Sequence, residues 1–218
     1  MKQGAIFDMD GLMFDTERQY QEVWQEIAEE MGIVLPPQFT REISGSNGDL
    51  LKSIVSKYYH TDEPMELFHR VLDRVEIRLK EYVPLKPGLL ELLSFLKENG
   101  VKLAVASSSY EKIICSNLKV SNTEDYFDAV VSGSGSGIRL GKPAPDIFLF
   151  AAEQIGLSAK DCYVFEDSIN GVLAGLAAGS VTIMVPDYTA PTEEIKRSDA
   201  CICASLSEAL ELIRNGTL

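Results

Sequence analysis

The sequence predicts an α/β protein in which a doubly wound parallel sheet carries an inserted helical domain. Near-continuous apolar runs such as residues 101–106 alternate with helical patterns, which favours a parallel sheet covered on both faces. A short apolar run at residues 5–7 precedes every helix, and residues 16–83 contain helical patterns only. These observations predict a core of residues 1–15 and 84–218, and a helical cap of residues 16–83.

The elements follow in order along the chain. Thr16 and Gln19 have the spacing of a capping box and begin a helix with apolar residues at helical spacing up to Met31. Helical patterns at residues 50–58 and 67–79 follow, and Pro84 ends this block. The remaining predicted helices are 89–98, 110–118, 146–155, 171–178 and 206–213, and the remaining predicted strands are 102–106, 129–131, 162–165, 182–185 and 200–203.

Composition restricts the partners and the location. The chain has 218 residues, enough to bury a core with an insert, and a net charge of −13. This charge repels nucleic acid and anionic membrane surfaces, so we expect neither as a partner. A phosphorylated metabolite can still bind where lysine, backbone N–H groups or a metal reverse the local potential.

Cysteine usage and the N-terminus indicate a cytoplasmic protein. No cysteine pair has C-x-x-C spacing and none has a nearby histidine, so we interpret all four as reduced core residues. The first residues enter a strand without the apolar segment of a signal peptide. We expect a cytoplasmic monomer, with an oligomer left open. The cysteines are Cys115, Cys162, Cys201 and Cys203.

Polar residues follow several predicted strands, where ligands bind in open parallel sheets. Each has an ordinary structural explanation: an aspartate–glycine turn, serines or acids that cap a helix, and a solvated surface lysine. Their convergence on one edge of one sheet nevertheless predicts a single functional site. They are Asp8 and Asp10, Ser107 and Ser108, Lys142, and Glu166 with Asp167.

Four segments resemble, in order, the motifs of the haloacid dehalogenase superfamily. They are residues 8–16 (Asp-Met-Asp-Gly-Leu-Met-Phe-Asp-Thr), 106–108, 141–146 and 165–171. Within the superfamily, the chain is similar to the phosphatase and beta-phosphoglucomutase-like branch with a helical cap, and its opening is similar to pseudouridine-5'-phosphatase-like members. The resemblance implies phosphoryl transfer from a small phosphorylated metabolite, with Mg²⁺ as cofactor.

The resemblance also implies roles that fit the residue types. Asp8 is the expected nucleophile, which forms an aspartyl-phosphate, and Asp10 is the expected general acid and base. Asp8, the backbone carbonyl of Asp10, and Asp167 are the expected Mg²⁺ ligands, with Glu166 as a further ligand or an orienting residue.

Phosphate binding is expected from three residues near the strand ends. Ser107 and the N–H of Ser108 are predicted at the start of a helix, a position suited to phosphate oxygens. Lys142 is expected to neutralise the charge that Asp8 and phosphate share. Candidates for contacts with the rest of the substrate lie in the cap: Thr16, Tyr20, Asn47 and Arg74.

We expect Mg²⁺-dependent hydrolysis of a sugar phosphate or a nucleotide-like monophosphate. The alternative enzyme is a beta-phosphoglucomutase-type mutase, and the non-enzymatic alternative is a metabolite-binding regulatory module. Beta-phosphoglucomutases that resemble this chain carry a histidine early in the first cap helix and an arginine in the following cap loop. Residues 18–21 and 44–49 contain neither at the matching positions, which favours hydrolysis.

Overall fold

The computed structural model describes residues 1–43, 46, 48–134 and 138–218. Its centre is a six-stranded parallel sheet in the order β3-β2-β1-β4-β5-β6, so the predicted doubly wound sheet is confirmed. The strands are β1 (Gly4–Phe7), β2 (Lys102–Ser107), β3 (Ala129–Ser132), β4 (Cys162–Glu166), β5 (Val181–Met184) and β6 (Cys201–Ile202). Gly4 of β1 pairs with Lys102 on one side and Cys162 on the other, which places the first strand at the centre.

The chain divides into two compact units, Met1–Asp15 with Pro84–Leu218, and Thr16–Val83. The second unit contains α1 (Thr16–Glu30), α2 (Pro37–Ile43), α3 (Gly48–Tyr59) and α4 (Pro64–Glu81). The first contains the sheet with α5 (Leu89–Glu98), α6 (Glu111–Val120), α7 (Asp146–Gln154), α8 (Ile169–Ala177), α9 (Glu193–Lys196) and α10 (Leu206–Arg214). Within the described part of the chain, no helix is both long and apolar enough to cross a membrane.

Apolar side chains on both faces of the central strands form the core of the first unit. The rings of Phe7 and Phe165 stack across β1 and β4 with their centroids 4.6 Å apart. Ile6 and Val164 belong to a buried cluster with Phe148 of α7. Because these strands are buried on both faces, they read as continuous apolar runs rather than alternating ones.

Several predicted boundaries were wrong for local reasons. The helix predicted to begin at residue 171 begins at Ile169, because the Ser168 side chain caps it by accepting from the Gly171 N–H at 3.1 Å. The second unit has a seven-residue helix, α2, that is too short to show a clear period. Thr16 is the first residue of α1 rather than its preceding cap.

The cysteines differ in burial, although all four are free thiols. Cys162 and Cys203 are buried as expected, but Cys115 is exposed and Cys201 is half-buried, so core placement was wrong for these two. Cys115 lies on α6, whose other face packs inward. The Sγ atoms of Cys201 and Cys203 are 3.8 Å apart, which agrees with side chains two residues apart on one face of a strand.

Candidate active site

Polar side chains gather at the carboxyl ends of the three central strands. Asp8 directly follows β1, and its N–H donates to the carbonyl of Phe165 at 3.0 Å, which continues the pairing with β4. Ser107 and Glu166 are the last residues of β2 and β4. The sheet register therefore holds three of the predicted site residues at one edge.

The turn after β1 brings its backbone against Asp167. The carbonyl of Met9 accepts from the Met13 N–H at 2.9 Å, and the Gly11 N–H donates to Phe14 at 3.0 Å. Gly11 has φ +83°, and a Cβ atom there would overlap the Asp167 carboxylate. The aspartate–glycine turn anticipated as an ordinary explanation is therefore present, and it forms one wall of the acidic cluster.

Lys142 connects the ends of three strands, β1, β2 and β4. Its ammonium donates to Asp8 Oδ1, to Glu166 Oε1 at 2.5 Å and to the carbonyl of Ala106 at 3.3 Å. The side chain is only 8% exposed, so the alternative of a solvated surface lysine does not hold. Burial alone would lower the pKa of Lys142, but the carboxylates of Asp8 and Glu166 outweigh it and raise the pKa above its usual range.

Glu166 is fully buried and is surrounded by hydrogen-bond donors. Its Oε2 accepts from the Asp167 N–H, the Ser168 N–H and the Ser168 hydroxyl, each at 3.0 Å, while Oε1 accepts from Lys142. Ser168 caps α8, so the helix cap that residues 166–168 predict is present at its third residue. Glu166 therefore fixes Lys142 and the first residues of the β4–α8 connection in one arrangement.

Three carboxylates form a group that suits a divalent cation. Asp8, Glu166 and Asp167 each place an oxygen within 4.8 Å of the others. Burial raises the pKa of Asp8 to about 7, with Lys142 opposing the rise and Glu166 adding to it. Burial, together with the charges of Asp8 and Glu166, raises the pKa of Asp167 to about 9. A cation would relieve this repulsion, and an all-oxygen donor set is the kind that Mg²⁺ prefers.

The predicted placement of the serines at a helix start was wrong. Ser107 is buried at the end of β2, where its hydroxyl accepts from the Ser109 N–H at 3.1 Å, and Ser108 is exposed. α6 begins later, at Glu111, with Tyr110 as its N-cap residue. Any phosphate held by Ser107 and Ser108 would therefore meet a strand end and a loop rather than the first turn of a helix.

Asp10 has a partner that sequence reasoning missed. Its Oδ2 accepts a hydrogen bond from the hydroxyl of Ser109 at 2.8 Å. The two residues are 99 positions apart in the chain, so only the pairing of β1 with β2 brings them together. The run of three serines at 107–109 is the available signal, but the prediction includes only its first two members.

Three of the four predicted substrate residues, Thr16, Tyr20 and Arg74, lie in the described part of the second unit. Thr16 is buried at the first position of α1, and Tyr20 packs against the apolar cluster of the helical unit. Arg74 donates from both terminal nitrogens to Glu30, at 2.7 and 3.0 Å. Asn47 lies outside the described residues. Substrate recognition by these four residues stays a prediction.

Comparisons with known proteins agree with this arrangement. A model of the haloacid dehalogenase-like hydrolase family matches residues 2–179. A Drosophila melanogaster protein named "Probable pseudouridine-5'-phosphatase" is 34% identical over 210 residues, covering 94% of this chain and 90% of that protein. "Beta-phosphoglucomutase" of Bacillus subtilis is 33% identical over 191 residues, covering 83% and 82%. A HAD family hydrolase from Deinococcus radiodurans R1, crystallised with phosphate and sodium, has a TM-score of 0.82 at 27% identity, covering 100% of this chain and 97% of that one.

Proposed function

This chain belongs to the haloacid dehalogenase-like hydrolases, as its motifs predicted, and we propose that it is a Mg²⁺-dependent phosphatase of small phosphorylated metabolites. One observation carries the proposal. Lys142 is buried between Asp8 and Glu166, and the carboxylates of these two residues form one group with that of Asp167. A phosphate dianion that approaches Asp8 would meet one fixed positive charge and a group of carboxylates suited to a cation.

The proposed cation ligands are Asp8, Asp167 and the backbone carbonyl of Asp10. Glu166 serves mainly as an orienting residue, because its two oxygens already accept four hydrogen bonds from the chain. Bound Mg²⁺ would reduce the repulsion between a carboxylate nucleophile and a phosphate dianion. The raised pKa values of Asp8 and Asp167 support this proposal, since burial disfavours the charged form of both carboxylates and a bound cation would offset that cost.

In the proposed reaction, Asp8 and Asp10 act in turn. The Asp8 carboxylate attacks phosphorus, the bond from phosphorus to the leaving oxygen breaks, and Asp10 gives that oxygen a proton. Water then attacks the aspartyl-phosphate, Asp10 takes a proton from the water, and phosphate leaves with Asp8 regenerated. Lys142 stays charged throughout and stabilises the negative charge that Asp8 and phosphate share.

The proposed substrate is a sugar phosphate or a nucleotide-like monophosphate. The names of the relatives in Drosophila melanogaster and Bacillus subtilis support this class, since the first is named as a probable phosphatase of a nucleoside phosphate and the second as a mutase of a sugar phosphate. The second relative also keeps a sugar-phosphate mutase as the alternative. The absence of a histidine at residues 18–21 and of an arginine at residues 44–49 favours the phosphatase.

Release of inorganic phosphate tests the proposal. Wild-type protein with Mg²⁺ is supplied with sugar phosphates, nucleoside monophosphates and polyol phosphates, and Asp8→Asn is the matched inactive control. Phosphate release by the wild type and not by the variant supports the phosphatase, whereas no turnover of any ester supports a regulatory module. A second reaction contains beta-glucose 1-phosphate and catalytic glucose 1,6-bisphosphate. Rapid formation of glucose 6-phosphate with negligible phosphate release would instead identify a mutase.

A further inference from the structure

The hydroxyl of Ser109 contacts the carboxylate of Asp10 and makes no contact with the other acids of the site among the described hydrogen bonds. It donates to Asp10 Oδ2 at 2.8 Å. Asp10 follows β1 and Ser109 follows β2, so the bond joins two neighbouring loops. A hydroxyl that donates to a carboxylate forms a charge-assisted hydrogen bond, which restricts rotation of the carboxylate.

The backbone of Ser109 is itself held on both sides. Its N–H donates to the Ser107 hydroxyl at 3.1 Å, and its carbonyl accepts from the Ser132 hydroxyl at 2.7 Å. The Ser132 hydroxyl also lies 2.9 Å from that of Ser134. These contacts with the ends of β2 and β3 therefore fix the position from which the Ser109 hydroxyl donates.

The residue after β3, Gly133, also packs closely against residues 107 and 108. The Gly133 N–H donates to the carbonyl of Ser107 at 2.7 Å. A Cβ atom at Gly133 would lie 3.2 Å from the Cα atom of Ser108, which is tighter than ordinary packing. Glycine therefore lets the end of β3 press against residues 107–109, and little room is left for this loop to shift.

We propose that Ser109 is a positioning residue that holds Asp10 in the orientation needed for proton transfer. The inference rests on the proposed function, in which Asp10 first gives a proton to the leaving oxygen and later takes one from water. Both transfers need the same carboxylate at nearly the same place, and a small displacement of a catalytic group lowers its efficiency sharply. A hydroxyl fixed by its own backbone contacts meets this need.

The experiment compares leaving groups that differ in their need for a proton. The value of kcat/KM reports the steps up to departure of the leaving group, so it isolates the acid role of Asp10. For phenyl phosphate, Ser109→Ala should lower kcat/KM by about 10- to 100-fold, the effect of losing one hydrogen bond to a charged group. For p-nitrophenyl phosphate, whose leaving group needs little protonation, the decrease should be less than about threefold.

Three further variants are compared with Ser109→Ala. Ser109→Thr keeps the hydroxyl and should restore most of the activity towards phenyl phosphate. Ser121→Ala removes a half-buried hydroxyl at the far end of α6, which bonds to Leu118 and Thr123, and should change neither rate. Asp10→Asn should show the same leaving-group dependence as Ser109→Ala, with a larger decrease.

The outcomes separate this inference from the proposed function. A selective effect of Asp10→Asn without a selective effect of Ser109→Ala overturns the positioning role and leaves the phosphatase in place. Equal losses for both esters in Asp10→Asn contradict the acid role itself. An increase in KM for both esters in Ser109→Ala, at constant kcat, would assign Ser109 to direct substrate binding and overturn the inference.

Discussion

The substitution Glu166→Gln preserves the shape of a fully buried side chain and removes its charge. Glu166 accepts from Lys142 through one oxygen and from three donors of residues 167 and 168 through the other. A glutamine amide offers one acceptor oxygen and one NH₂ donor. In one orientation the NH₂ group faces the Lys142 ammonium, and in the other it faces the three remaining donors. In neither orientation do all four donors around this side chain keep an acceptor.

Two opposite effects determine the magnitude. Removal of the charge relieves repulsion with Asp8 and Asp167, but pKa values of about 7 and about 9 leave Asp8 about half protonated and Asp167 largely protonated at pH 7, so the relief is only partial. Removal of one partner from a buried ion pair costs about 3–5 kcal/mol. For a chain of 218 residues, this loss predicts a decrease in melting temperature of about 6–20 °C.

Thermal unfolding in EDTA at pH 7, followed by far-ultraviolet circular dichroism, measures the effect without metal. Fluorescence of Trp24, the single tryptophan, follows the helical unit separately. The matched control is Glu211→Gln, which breaks one ion pair to Arg214 from a side chain that is 68% exposed and should change the melting temperature by less than about 2 °C. Equal decreases in the two variants would refute the anchoring role of Glu166.

Three other results are expected. Asp8→Asn should lower kcat for phosphate release by about 10³-fold or more without loss of folding, and activity within about tenfold of wild type would exclude Asp8 as the nucleophile. EDTA should abolish activity and Mg²⁺ should restore it while raising the melting temperature, whereas full activity in EDTA would contradict the metal role. Without metal, folded Asp8 and Asp167 bind protons more tightly than the unfolded chain does, so the free energy of unfolding in urea should decrease between pH 5 and pH 8. An Asp8→Asn variant with the same pH dependence as the wild type would refute the contribution of Asp8.

The fold was largely predictable because its signals are local and strong. Strands buried on both faces are continuous apolar runs, and amphipathic helices separate them, so element type and the parallel sheet followed directly. The short elements α2 and β6 were missed or overextended because seven and two residues hold too little periodicity. The start of α8 depended on whether Ser168 or a later residue capped it, and only the hydrogen bond to Gly171 distinguishes these.

The sequence predicted which residues would lie together at the candidate site, but it did not predict the contacts between them. The rule that ligands bind at the carboxyl ends of parallel strands brought Asp8, Lys142 and Glu166 together in the prediction. The sequence could not show that Lys142 would be buried, because the burial of a lysine depends on acids that are distant in the chain. It also could not show the bond from Ser109 to Asp10, because nothing in a run of three serines distinguishes the one whose hydroxyl reaches the next loop.

Four acids of one site differ in their expected behaviour because their neighbours differ. Glu166 has its oxygens engaged by four donors, so it can change partners least and suits an orienting role. Asp8 and Asp167 have raised pKa values in the absence of a cation, so they gain most from binding one. Asp10 lies outside this group of three and accepts a hydrogen bond from the Ser109 hydroxyl, which suits the proposed role in proton transfer. Different environments give chemically identical groups different properties. In this way one fold can obtain a nucleophile, a metal ligand and a general acid and base from carboxylates alone.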